Sequence, residues 1–196
     1  MLWVEGPSDA IYLRHWFLLL SSASDLTEGL DYVFAFHAGA LLTHAAGERE
    51  PETITVFGEI NPNYFLVLDR DPDEEETFSH RYTGNWAGHD NVWITAPKEI
   101  EGYVSDEGLS LAVGDEIKKS RISDTSRSLR ERLEALSLPK SWSNRKVDLA
   151  RRVVALPNNN DVVHPSHRSD LLANLERIVA FLRRCRADDV AQEGNV

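Results

Sequence analysis

The chain is poor in the residues that staple small proteins. Among 196 residues there is one cysteine, Cys185, so no internal disulfide can form and no cysteine-rich zinc site can be built. His37, His44, His80, His89, His164 and His167 show no tight ligand spacing and read as surface or hydrogen-bonded residues. No apolar run approaches the roughly 18 residues of a spanning helix, and the N-terminus lacks the basic region and apolar core of a secretory signal. The expectation is a soluble protein of the cytoplasm with no membrane partner. A Gly-x-x-x-x-Gly-Lys-Ser/Thr motif is also missing, which excludes the usual cradle for ATP phosphates. No internal repeat or long low-complexity linker is seen.

What is present suits one sizeable core with a smaller appended part, since 42% of the residues are hydrophobic. The formal charge of -11, taken whole, counts against a nucleic-acid partner. It is unevenly spread. Residues 1 to 117 hold 5 basic and 22 acidic side chains, whereas Lys118 to Arg152 holds 11 basic and 4 acidic. One part can gather cations and the other can hold a polyanion, although a basic run can equally be a solvated helical face.

Leu2 to Val4 reads as a strand, Glu5 to Asp9 as a tight turn, and Ala10 to Ser21 as a helix. Tyr32 to Phe36 is a second strand, and Ala40 to Ala46 a short helix. Thr53 to Phe57 reads either as a small extra strand or as a loop. The uninterrupted Phe65-Leu66-Val67-Leu68 suits a strand buried on both faces, and Val92 to Thr95 a fourth strand stopped by Pro97. Beyond Ser105 the pattern is helical, over Ser126 to Leu136, Asn144 to Ala155 and the amphipathic Asp170 to Arg186. Strands alternating with helices predict an α/β fold with a mainly parallel sheet, Rossmann-like, in which ligands gather at the carboxyl ends of the strands. The division expected is an α/β core over residues 1–110, a helical C-terminal subdomain over 111–187 and a flexible tail over 188–196.

Three acidic pairs fall at those ends: Glu5 with Asp9, Asp69 with Asp71, and Glu99 with Glu101. A hard cation such as Mg²⁺ needs oxygen ligands, and two ions about 4 Å apart need carboxylates converging from several strands. Singly, each pair has a plainer explanation. Glu5 and Asp9 can complement a helix dipole, Asp69 can open a solvated loop, and Glu99 and Glu101 can begin a helix.

Taken in order, Val4-Glu5-Gly6-Pro7-Ser8-Asp9, Leu68-Asp69-Arg70-Asp71 and Glu99-Ile100-Glu101-Gly102-Tyr103 resemble the TOPRIM domain of OLD-family ATP-dependent endonucleases, over about the first hundred residues. The resemblance implies the sheet shared with topoisomerases and bacterial primases, and a water nucleophile with two Mg²⁺ or Mn²⁺ ions. It also implies that Glu5, Asp9, Asp69, Asp71, Glu99 and Glu101 bind metal, with Glu5 also a general acid or base. Lys146-Val147-Asp148-Leu149-Ala150-Arg151 looks like the family's later lysine-bearing helix, which makes Lys146 the candidate for stabilising charge on the scissile phosphate. A solvent-facing helix lysine is the plainer alternative. Two departures stand out: Gly102 where the family often has Asn, and Arg70 where a small residue is expected. The implied substrate is DNA, with RNA the competing polymer, and the implied process is plasmid or phage restriction. The family's ATPase is expected on a separate subunit or a longer chain, because this one begins almost inside its first strand. Homo-oligomerisation is left open.

Two other classes compete. Asp69-Arg70-Asp71 would also serve a haloacid-dehalogenase-like phosphatase or a glycosyltransferase, but the former places its aspartate on the first strand and the latter explains neither Glu5-Gly6 nor Glu99 and Glu101. A degenerate TOPRIM module that binds nucleic acid or an ATPase partner without cutting is the non-enzyme reading.

Overall fold

The structure is a computed structural model that describes residues 1–37, 61, 63–70, 90–114, 124–157 and 162–193, with side chains to residue 187. Four described strands, β1 (Leu2–Val4), β2 (Phe34–Phe36), β3 (Phe65–Leu68) and β4 (Val92–Ile94), form an all-parallel sheet in the order β2-β1-β3-β4. Five described helices accompany it: α1 (Pro7–Phe17), α2 (Asp106–Val113), α3 (Leu129–Ala135), α4 (Lys146–Val154) and α5 (Arg168–Glu193). The expected α/β class with a parallel sheet is therefore present. Ala40 to Ala46, Thr53 to Phe57 and Asp71 lie outside the described residues.

The strand sequences explain the sheet. Side chains alternate between faces along a strand, and the register Leu2 beside Phe34 and Phe65, and Trp3 beside Ala35 and Leu66, keeps each row on one side. Leu2, Val4, Phe65, Val67 and Trp93 enter the main core, while Trp3, Leu66, Leu68 and Val92 form a second, smaller cluster. Both faces are apolar, as an uninterrupted run such as Phe65-Leu66-Val67-Leu68 requires. The main core continues past residue 110 without a break, taking in Leu129, Leu133, Leu149, Val153, Leu171, Leu175 and Leu182. Burying a Leu of this kind contributes about 1.5–3 kcal/mol.

Helix boundaries shift for local reasons. The first helix begins at Pro7 rather than Ala10, because proline's fixed φ and missing N–H suit the first helical position. Ser128 and Glu131 cap α3 reciprocally, with Ser128 N donating to Glu131 Oε2 at 2.9 Å. The backbone of α5 is helical to Glu193, past the expected start of a tail at Asp188, since no Gly or Pro interrupts before Gly194. No helix among the described residues is long and apolar enough to cross a membrane.

The strand order has one consequence for ligands. From β1 the chain goes to β2 on one side, and from β3 it goes to β4 on the other. The β1/β3 boundary is a topological switch point, where the crevice outside the carboxyl ends is the usual binding place in open α/β sheets. Glu5 follows β1 and Asp69 follows β3.

Candidate metal centre

Each acidic residue reaches this edge by a different local device. Exposed Glu5 is the first residue after β1. Asp9 sits in the first turn of α1 and folds back, its Oδ2 accepting the Gly6 N–H at 2.9 Å and its Oδ1 the Ser8 hydroxyl at 3.1 Å. It thus closes the helix start and is itself buried. Half-buried Asp69 accepts the Ile100 N–H at 2.9 Å, which ties the end of β3 to the turn after β4. That turn, a 3₁₀ helix over Ile100–Tyr103, carries Glu101 with 0% exposure. Glu99, just before it, accepts the Leu129 N–H at 3.1 Å and so also caps α3.

Lys146, the first residue of α4, is not a solvated helix lysine. Its Nζ lies 3.3 Å from Glu99 Oε2 and 3.3 Å from Glu101 Oε2. Helix α4 packs on α1, which bears Asp9.

The electrostatics show that these groups share one space. Burial pushes the Asp9 carboxyl up to about 6, with Glu5 adding to the shift while the Gly6 N–H, the Ser8 hydroxyl and Lys146 oppose it. Burial also raises Asp69 well above the usual carboxylate range, helped by the charges of Asp9, Glu101 and Glu5. Glu101 is pushed up to about 7, again by burial first, against the pull of Lys146 and with the push of Asp9 and Glu99. For Lys146, burial favours the neutral amine, but Glu101, Glu99 and Asp69 outweigh it and keep the ammonium. Five carboxylates, Glu5, Asp9, Asp69, Glu99 and Glu101, from three distant stretches of chain therefore feel one another or the Lys146 ammonium. Glu101 Oε1 is buried with no hydrogen-bond partner. Among the described residues, no three acidic, histidine or cysteine side chains are gathered closely enough to hold an ion as they stand.

Three supporting residues escaped the sequence reading. Arg132, with 1% exposure, donates to Glu101 O at 2.8 Å, Val104 O at 3.0 Å and Asp106 Oδ1 at 2.9 Å, and so fixes the backbone that presents Glu101. The signal was available, because Arg132 shares the i, i+3, i+4, i+7 stripe with Leu129, Leu133 and Leu136. Tyr103, whose hydroxyl donates to Asp170 and accepts the Ala96 N–H at 3.0 Å, ties the same turn to α5. His37 is buried at the carboxyl edge with its Nε2 3.3 Å from Val67 O, the hydrogen-bonded of the two alternatives the sequence left, and nothing in its spacing announced the burial.

Gly102 now has a physical reason. A Cβ there would lie 2.2 Å from Pro97 Cβ and 2.8 Å from its Cγ, so the proline ring leaves no room for a side chain. Arg132 and Lys146 hold Glu101. No family model matches the chain, and no curated protein or solved structure matches it either.

Proposed function

We propose that this edge of the sheet holds divalent Mg²⁺ or Mn²⁺, two ions in the complete site, and that the chain is an endonuclease or nickase hydrolysing phosphodiester bonds of DNA. The observation that carries the reading is the contact of Lys146 Nζ with Glu99 and Glu101 at 3.3 Å, beside Asp69, which accepts the Ile100 N–H between them, with Glu5 and Asp9 following β1 at the same sheet edge. The parallel order β2-β1-β3-β4, with acidic residues at its switch point, supports a Rossmann-like TOPRIM domain of the OLD type.

The donors fit a hard cation. They are carboxylate oxygens, one of them, Glu101 Oε1, without a hydrogen-bond partner among the described residues, and burial holds protons on Asp9, Asp69 and Glu101 that a divalent ion would displace on binding. Glu5, Asp9, Asp69, Asp71, Glu99 and Glu101 would hold the ions, with Glu99 and Glu101 steadied by Lys146. Bound divalent ions supply Lewis acidity toward a phosphoryl oxygen and toward the attacking water. Exposed Glu5 takes or returns the proton, and the Lys146 ammonium stabilises charge developing on the phosphate. Exposed Arg127, Arg130, Arg145, Arg151 and Arg152, all within the basic stretch, suit contacts to the strand backbone, with RNA as the competing polymer. An ATPase subunit or domain is the proposed partner, and restriction of plasmid or phage the proposed setting, both on the strength of the family resemblance.

A second reading, a module that binds without cutting, is favoured by one observation: Lys146 already neutralises Glu99 and Glu101, and no trio of ligands is closed around a point among the described residues. Supercoiled plasmid incubated with the protein in Mg²⁺, Mn²⁺ or chelator separates the two. The nuclease reading expects metal-dependent nicking, lost in Asp69→Ala and Glu5→Ala with the far-ultraviolet circular dichroism unchanged. A folded wild-type protein that nicks under none of these conditions would leave the binding module.

A further inference from the structure

Trp142 stands in the 3₁₀ helix Lys140–Asn144, just ahead of α4, and is buried. Two guanidinium groups lie over its ring. Arg145 Cζ is 4.4 Å from the ring centroid and Arg152 Cζ 4.6 Å, the first from the residue before α4 and the second from its last turn. Each arginine is held a second time. Arg145 donates from Nε and Nη2 to Asp148 Oδ2 at 3.1 and 2.9 Å, and Arg152 donates from Nη1 to Ala112 O of α2 at 3.2 Å. Both remain exposed.

Holding the fold together does not require this arrangement. Two like charges brought to one ring repel each other, and among the described residues Asp148 is the one carboxylate within ion-pairing distance of Arg145, Arg151 or Arg152. The positive charge is therefore in excess and faces water. An arginine that grips a ligand ordinarily loses side-chain freedom on binding; one already fixed on an aromatic face does not, and its planar fork can meet a phosphate with two hydrogen bonds. Of the exposed arginines named above, Arg145 and Arg152 alone lie over an aromatic ring among the described residues.

Their place indicates which anion they serve. Arg145 is the chain neighbour of Lys146, whose Nζ meets Glu99 and Glu101 at 3.3 Å. From there to Arg152 the axis of α4 runs about 10 Å, at 1.5 Å per residue. Charge spread along such a line fits the repeating phosphates of a strand better than a single small anion. We infer that Trp142, Arg145 and Arg152 form a pre-ordered seat for the phosphodiester backbone of duplex DNA, leading the strand to Lys146. The inference deepens the nuclease reading and rests on it for the choice of polymer.

The probe is a short fluorescent DNA duplex titrated with the full chain in chelator, which prevents metal-dependent cutting, over a series of salt concentrations. Arg145→Gln and Arg152→Gln should each reduce the steepness of log affinity against log salt by about one. Trp142→Leu keeps both charges and should keep the steepness, yet weaken binding roughly tenfold, because the arginines must now be ordered by the DNA. If the leucine variant does not fold, Trp142→Phe gives the same comparison. Arg184→Gln, at an exposed position of α5, is the control and should change neither quantity. Unchanged steepness in both arginine variants would overturn the seat, as would a folded Trp142 variant that binds like wild type. Metal-dependent plasmid nicking beside unchanged steepness would leave the nuclease standing without the seat. Binding that depends on these residues in a protein that never nicks would keep the seat and overturn the nuclease, and a folded chain that binds no duplex would overturn the seat.

Discussion

Arg132 and Glu101 are opposite charges buried to the same degree, and they meet, since the arginine donates to the glutamate's carbonyl. Their surroundings differ. The guanidinium has two carbonyls and the Asp106 carboxylate, and none of its nitrogens is left without a partner. The Glu101 carboxylate has Lys146 on one oxygen and nothing on the other, while Asp9, Asp69 and Glu99 press on the same space. A buried charge with a full set of hydrogen bonds holds a fold together; one with half a set is held in place for something else to complete it. The region around Arg132 is built as scaffold, whereas the region around Glu101 is the site proposed above.

The sharpest way to break this contrast is at the lysine that meets the Glu101 carboxylate. Lys146→Ala should lower plasmid nicking by about 10²–10³-fold with a much smaller change in DNA affinity, read by single-turnover cleavage beside equilibrium binding. Equal losses in both would make Lys146 an ordinary backbone contact. Arg132→Met should destabilise the fold by about 3–5 kcal/mol in urea unfolding, because it strands Asp106 and two buried carbonyls. A neutral result would remove Arg132 from the scaffold. Gly102→Ala drives a Cβ into the Pro97 ring and should cost about 1–3 kcal/mol, again by urea unfolding, where an unaffected midpoint would show that the turn can give way.

The smallest effect is set by pH. The carboxyls of Asp9 and Glu101 are raised in the folded chain to about 6 and about 7, above their ordinary values of 3.8 and 4.5. Between those limits the native state keeps protons that the unfolded chain has lost, so their contribution is full near pH 4 and is lost as pH rises through about 7. Protein in chelator should therefore lose stability steadily over that window, and Glu101→Gln should flatten the slope. A stability that climbs with pH over the same range would mean that these carboxylates are already compensated.

Much of the sheet was legible because a strand buried on both faces must be an apolar run, and Phe65 to Leu68 and Val92 to Ile94 are such runs. The acidic residues were legible because they come soon after predicted strands, Glu5 after Val4, Asp69 after Leu68 and Glu99 five residues after Ile94. Tertiary context hid the rest. Pairing in the sequence says nothing of the Asp9 carboxylate folding back on Gly6, or of Glu99 capping a helix thirty residues later. His37 is one polar residue after a short strand, and only the β2-β1-β3 order brings its ring to Val67. Gly102 looked like a departure from the family pattern until Pro97, five residues earlier, was seen to fill the space its side chain would need.

Equilibrium titration of Mg²⁺ and Mn²⁺ into the wild-type chain and into Asp69→Asn, followed by calorimetry, tests the under-satisfied edge most directly. The account predicts saturable binding to wild type, weakened at least about tenfold by the single change at the end of β3. Binding that Asp69→Asn leaves untouched, or a folded chain that takes up neither ion, would contradict it.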